Sequence, residues 1–181
     1  RIWEVDSGKE LLAIRRGSTD LCASDVVYSP DGALIAMGIE NKTLGVWNAE
    51  TGEARARLEG HEGDVVAVAW SPDGGILASS AYDKKVRLWD TRSWKPLTSF
   101  TADENVIYSL AFSPDGDTLV SAGGDARIRL WQVPEGLERW SGAGHTGEVT
   151  AVGPSLIPCS PTISSTGTSN SASSRSPLRR A

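Results

Sequence analysis

Val65-Val66-Ala67-Val68-Ala69-Trp70-Ser71-Pro72-Asp73-Gly74 is an apolar run closed by a turn, and its closing tetrapeptide is not unique in the chain. Ser-Pro-Asp-Gly returns at residues 29–32 and 113–116, 42 residues to either side. Proline presets φ for the first central position of a type I turn and glycine relieves its exit, so each copy connects two strands of a hairpin. Val106-Ile107-Tyr108-Ser109-Leu110-Ala111-Phe112 leads into the third copy as the run above leads into the second. Trp3, Trp47, Trp89 and Trp131 keep the same ruler, with spacings of 44, 42 and 42 residues. Two unrelated markers on one period define a repeat protein.

Each period resolves into short β-rich runs bounded by turn residues. In the second copy the pattern predicts strands at 64–70, 75–80, 85–89 and 96–101, with Asp83-Lys84 between the second and third. Thr51-Gly52 and Ser7-Gly8 mark the turn from third to fourth strand in other copies. Val86 and Leu88 face one way and Arg87 and Trp89 the other; Ile128 and Leu130 alternate likewise with Arg129 and Trp131. A four-stranded sheet of this size cannot bury two apolar faces alone. The sheets must cover one another, as in a propeller or solenoid.

These residues resemble the WD-repeat β-propeller family, whose repeats carry Gly-His near the start and Trp-Asp at the end of the third strand. Gly60-His61 lies 28 residues before Trp89-Asp90. The resemblance implies a structural hydrogen-bond tetrad of His61, Ser79, Asp83 and Trp89, in which Asp and Ser fix the His and the His orients the indole. The third copy keeps Ser121, Asp125 and Trp131, with Asp103 at the His position; the first has Trp47 with Asn41, Met37 and Thr19 at the other three, and both blades are expected to be looser. Gly144-His145 opens a fourth copy. The expected fold is all-β, a partial β-propeller of four-stranded antiparallel blades, about three complete blades plus partial ones.

The expected division is 1–16 as the last two strands of a preceding blade, blades at 17–60, 61–102 and 103–144, and 145–152 as the first strand of another. Because a closed propeller takes four to eight blades and the chain starts in mid-repeat at Arg1, the sequence reads as a fragment of a longer protein. At Gly153 the pattern stops, and 153–181 is rich in Ser, Thr, Pro and Arg. A low-complexity, disordered tail is one reading. The preferred one is a shifted reading frame, since regrouping the codons of Gly153 to Pro158 by one base can give Ala-Phe-Ser-Asp-Ser, close to the missing repeat text.

The net charge is −5, and the tail adds only Arg175, Arg179 and Arg180, so the repeats are more acidic still. That argues against phosphate-backbone binding, and no nucleic acid partner is expected. No apolar run is long enough to span a membrane. Cys22 and Cys159 form no paired motif, which fits a reducing compartment such as the cytoplasm. They also form no ligand cluster with His61 and His145, so neither metal nor cofactor is expected. Asn41-Lys42-Thr43 is a sequon of the kind chance often produces.

His61, Ser79 and Asp83 have the residue types of a nucleophilic triad, but a triad needs an exposed nucleophile and an oxyanion hole, and the tetrad already explains their spacing. Arg1, Arg87 and Arg129, two before Trp3, Trp89 and Trp131, are expected to pack between blades or pair with acids on the adjacent sheet. Trp3, Trp47, Trp89 and Trp131 read as buried repeat markers, and Trp70, which stands where Phe112 and Tyr28 stand in the first strand, reads with them as core; Trp94 and Trp140 fall outside the period and are candidates for a partner surface. The family resemblance further implies a peptide-binding top face, which maps here onto Ser24, Glu40, Val66, Tyr82, Tyr108, Gly124 and Thr150. Two tyrosines and an acid suit a peptide bearing Lys or Arg.

The sequence thus supports a non-enzymatic protein-protein interaction scaffold. The alternative is a recognition or regulatory propeller of a larger enzyme, a kinase or protease. A quinoprotein-type propeller ranks last, because Trp3 and Trp47 precede Gly8-Lys9 and Gly52 where that family places Gly-Lys before its docking Trp. Open terminal blade faces predict that this polypeptide alone is poorly stable or self-associates. Sedimentation and thermal melting check this, and a monodisperse, cooperatively melting monomer contradicts it.

Overall fold

The structure, a computed structural model, describes residues 2–3, 6–8, 10–12, 25–39, 41–153 and 162–164. Every regular element among them is a strand. The first complete sheet holds β3 (Val26–Tyr28), β4 (Leu34–Ile39), β5 (Thr43–Asn48) and β6 (Ala54–Leu58). The second holds β7 (Val65–Trp70), β8 (Ile76–Ala81), β9 (Lys85–Asp90) and β10 (Pro96–Thr101). The third holds β11 (Ile107–Phe112), β12 (Thr118–Gly123), β13 (Arg127–Gln132) and β14 (Leu137–Ala143). Each is an antiparallel meander in chain order. Two-stranded sheets flank them in sequence: β1 (Ile2–Trp3) with β2 (Glu10–Leu12), and β15 (Ala151–Gly153) with β16 (Thr162–Ser164).

Ser-Pro-Asp-Gly builds the first turn of each complete sheet in one way. Ser71 Oγ donates to Asp73 Oδ1 at 2.5 Å and accepts the Ile76 N–H at 2.8 Å, while Asp73 Oδ1 accepts the Gly75 N–H at 2.9 Å. Ser29 with Asp31, and Ser113 with Asp115, repeat the arrangement. The glycines close it at φ of 73°, 71° and 80°, a left-handed conformation that a Cβ resists.

The turn from third to fourth strand is equally periodic, with one departure. Gly52 and Gly136 take φ of 73° and 71°, and Trp94 stands at the equivalent place with φ 58°. An L-residue in that region costs roughly 1 kcal/mol. Its indole packs edge-on against Trp70, ring centres 6.4 Å apart at 83°.

The sheets cover one another through their first strands, since β7 touches β3 and β4 on one side and β11 on the other. Leu44, Val46 and Leu58 of the first sheet share a core with Val65, Leu77 and Trp89 of the second. Val86 and Leu88 of the second share another with Ile107, Leu110, Phe112, Leu119 and Trp131 of the third. Val120 and Ile128 continue to Val149, ahead of β15. Each fully buried leucine contributes about 2 kcal/mol. Polar bonds cross the same seams: Ser80 Oγ donates to the Ile107 carbonyl at 3.1 Å, and Val152 N–H to Ser109 Oγ at 3.0 Å.

The structure corrects two sequence expectations of burial. Trp3 is 53% exposed, because β1 and β2 form a sheet of two strands with no neighbouring sheet over that face among the described residues. Tyr28 is 51% exposed, at the end of the three-residue strand β3. Of residues 145–152, expected as the first strand of another blade, Ala151 and Val152 are in a strand, β15, which continues to Gly153. Of the tail, Thr162–Ser164 pairs with β15; 154–161 and 165–181 lie outside the described residues.

Candidate functional site

β8 and β9 bring Ser79 and Trp89 together in the second sheet, and the loops at one end of that sheet bring His61 and Asp83 to them. Trp89 Nε1 donates to Ser79 Oγ at 2.9 Å, and Ser79 Oγ lies 2.8 Å from His61 Nε2. His61 Nδ1 lies 2.9 Å from Asp83 Oδ2, which also accepts the Glu62 N–H at 2.9 Å. Asp83 can only accept, so Nδ1 carries the proton, Nε2 accepts from the Ser79 hydroxyl, and the serine oxygen accepts from the indole. The chain runs Trp89 to Ser79 to His61 to Asp83. The indole therefore bonds the serine, not the histidine that was expected to orient it.

Burial pushes His61 below its ordinary 6.5, against the opposing pull of Asp83. Burial alone would raise Asp83, but the hydrogen bonds from Glu62 and His61 outweigh it and hold the carboxyl below its usual range. Ser79, His61 and Asp83 reproduce the connectivity of a nucleophilic triad. Ser79 is fully buried, however, and its oxygen is occupied by the indole, so no substrate reaches it.

The third sheet solves the same position with different charges. Trp131 Nε1 donates to Ser121 Oγ at 2.9 Å, as in the second. Asp103 replaces the histidine, and Arg129 bridges it to Asp125, with 3.9 Å from Arg129 Nη1 to Asp103 Oδ2. Burial, with the Asp125 charge beside it, pushes Asp103 up. Burial works in the same direction on Asp125, but its bond to Arg129 holds it down. Arg129 thus pairs with acids of its own sheet and the loop entering it, not with the adjacent sheet. Arg87, its counterpart, lies over Gly60, and its Nε has no hydrogen-bond partner. In the first sheet Gly45 holds the arginine position and the Trp47 indole lies over it, so this blade lacks the serine-bonded geometry of the other two. Met37 there is buried and Asn41 exposed; Thr19 and Arg1 lie outside the described residues.

The described residues among those expected on the partner face lie at the tetrad end of the sheets. Tyr82 is half exposed in the turn after β8, and Gly124 occupies the same turn after β12. Val66 and Tyr108 lie near the starts of β7 and β11, both partly buried, and Thr150 is exposed just before β15. Burial raises the Tyr108 hydroxyl, helped by the charge of Glu148, to which it is hydrogen-bonded, and by the nearby Tyr82 and Asp103. Glu148 joins this group without having been expected from the sequence. Ser24 and Glu40 lie outside the described residues. Trp140 is 53% exposed on the outer strand β14, far from the first strands. Among the described residues no group of three or more His, Cys, Asp and Glu is arranged to hold a metal ion.

Stacked four-stranded meanders joined through their first strands, with a serine-bonded indole in the third strand, define blades of a β-propeller. Residues 52–90 and 94–132 match the family model described as WD domain, G-beta repeat, and these two stretches are WD40 repeats. Both matched stretches begin in a turn from third to fourth strand, so each sequence repeat spans the outer strand of one blade and three strands of the next. Two solved structures resemble it, titled "Structure of U3-55K" and "Crystal structure of RRP9 WD40 repeats", each at TM-score 0.71 and 26% identity over 77% of this chain. The chain spans 44% of the length of either. WD40 repeats generally mediate protein-protein interaction and are generally non-catalytic scaffolds.

Ser79→Ala strands both the Trp89 N–H and the His61 Nε2, whereas Ser121→Ala strands the Trp131 N–H. Urea denaturation is expected to show a loss of about 1–3 kcal/mol for the first and a smaller loss for the second. Protonation gives an independent check. The unfolded chain protonates its histidine below 6.5 while the folded chain holds His61 neutral, so the unfolded state binds more protons there. Stability from this site is complete above that value and declines as pH falls below it. The urea midpoint is expected to drop between about pH 7 and about pH 5.5, and His61→Gln to flatten that drop.

Proposed function

We propose that this chain is a non-enzymatic platform that holds a protein partner at the tetrad end of its blades, with Tyr82 and Tyr108 as anchors. The observation that carries this reading is the neighbouring pair of tyrosines from two different blades beside the exposed Glu148 carboxylate. Aromatic rings with a polar edge give contact area with little side-chain entropy to lose, and they predominate where interfaces concentrate their binding energy. Ring faces flanked by a carboxylate favour a lysine or arginine side chain. The partner is therefore a basic peptide segment of another protein. Val66, Gly124 and Thr150 complete the surface, and Ser24 and Glu40 take the same repeat positions in the first copy of the sequence. The acidic charge of the repeats repels nucleic-acid phosphates from it.

The blade framework beneath this surface is what makes it usable. His61 and Asp83 fix the loop that carries Tyr82, and Lys84 Nζ donates to the Glu104 carbonyl at 2.8 Å, tying that turn to the third blade. The anchors thus sit on held loops, which lowers the ordering cost on binding.

A peptide array probed with the full chain tests the reading. Lys- and Arg-bearing peptides are expected to bind, acidic ones not to, and Tyr82→Ala with Tyr108→Ala to lower binding at least tenfold with the urea midpoint little changed. Undiminished binding by that double variant contradicts it.

A further inference from the structure

The opposite end of the blades, where the Ser-Pro-Asp-Gly turns lie, carries a hollow of about 490 Å³ between the first and second sheets. Asp31 and Leu34 line it from one blade, and Trp70, Asp73 and Thr91 from the next. At the equivalent seam, 42 residues on, Ile76, Phe112 and Val133 stand where Leu34, Trp70 and Thr91 stand; Leu34 and Trp70 pack against their own core as Ile76 and Val133 do, and Thr91 is the polar exception. Phe112 is buried, whereas Trp70 is partly exposed. The first seam therefore differs from the second by a partly exposed indole and a threonine where the second has a buried phenylalanine and a valine.

Two further observations single the hollow out. The Trp70 indole N–H is shut away from bulk water and has no hydrogen-bond acceptor, a state that a buried donor rarely occupies. Trp94, packed edge-on against Trp70, takes a left-handed backbone conformation where the other two blades have glycine. A bulky residue in a conformation it resists marks a position whose side chain is needed. The two indoles support each other beside the hollow. No copy of this pair exists in the first or third blade, where Gly52 and Gly136 stand.

The charges are complementary to a cation. In both turns Oδ1 is taken up by the serine hydroxyl and a backbone N–H. These bonds, the serine first, keep both carboxyls ionised by holding them below their usual range. The basic group interacting with Asp73 is the exposed Arg92, the weakest of the influences on it.

We propose that this hollow binds an arginine- or lysine-bearing peptide segment, its cation lying between Asp31 and Asp73 beside the Trp70 ring. This surface is separate from the tyrosine surface, because β8 runs its full length between the two ends. Asn at either aspartate position retains the Oδ1 acceptor that the turn uses, so the charge can be removed without dismantling the turn.

The test is titration of the full chain, with ¹⁵N-labelled indoles, with the tripeptide amide Ac-Gly-Arg-Gly-NH2, followed by NMR. The Trp70 indole signal, assigned through Trp70→Phe, is expected to move saturably, and Trp94 with it. Asp31→Asn with Asp73→Asn is expected to weaken binding at least tenfold. Trp94→Gly, which restores the glycine of the other blades and so keeps the fold, is expected to weaken it as well. Tyr82→Ala with Tyr108→Ala is expected to leave the titration unchanged, so that failure at one end is distinguishable from failure at the other. The proposal is overturned by no saturable movement of Trp70, by equal movement with Ac-Gly-Glu-Gly-NH2, or by undiminished affinity in the Asn or Trp94→Gly variants.

Discussion

Leu88 belongs to the second sheet and Ile107 and Leu119 to the third, yet they occupy one core. That sharing is the constraint on which the rest of the structure depends. A four-stranded meander with apolar residues on both faces has too little of itself to fold over them, so each sheet is stable only as the cover of the next. Small residues at the seams, such as Ala67, Ala78 and Ala102, let the first strands approach, and the larger residues fill what remains. The polar network is subordinate to this packing: a buried indole N–H needs an acceptor once its sheet is covered, and Ser79 or Ser121 provides one.

The way the polar positions vary between blades follows from the same requirement. In the second blade a neutral histidine links the serine to a carboxylate, and the chain of donors and acceptors is complete. In the third, a carboxylate at the histidine place brings two acids together, and Arg129 compensates their charge. In the first, Gly45 lets the Trp47 ring settle over the backbone instead. These are three local solutions to one burial problem. They place different chemistry at equivalent points around the assembly, which is how a repeated fold acquires distinct surfaces.

Much of this was legible in the sequence, because the turn and the indole each need one residue type at one spacing. Ser-Pro-Asp-Gly fixes both a backbone conformation and a pair of side-chain bonds, so the strands on either side of residues 71–74 could be placed to within a residue. His61, Ser79, Asp83 and Trp89 could be grouped through the family resemblance, but the order of their bonds could not, since Ser79 Oγ reaches both rings. Exposure of Trp3 and Tyr28 was illegible for a different reason: the period says where a face lies, and only the neighbouring sheet decides whether it is covered. Glu148 beside Tyr108 escaped notice because the contact joins residues 40 apart on different elements. The hollow beside Trp70 had a visible signal in hindsight, a tryptophan at 94 where the period puts glycine at 52 and 136.

The mutual dependence of the sheets is tested most directly by native-state hydrogen exchange of β8 in a chain whose third sheet carries Leu119→Ala. Leu119 lies outside the second sheet but inside the core that sheet shares. The account predicts that protection of the β8 amides falls by an amount close to the fall in β12, because the two sheets open as one unit. Unchanged protection in β8, with loss confined to β11 to β14, would contradict it.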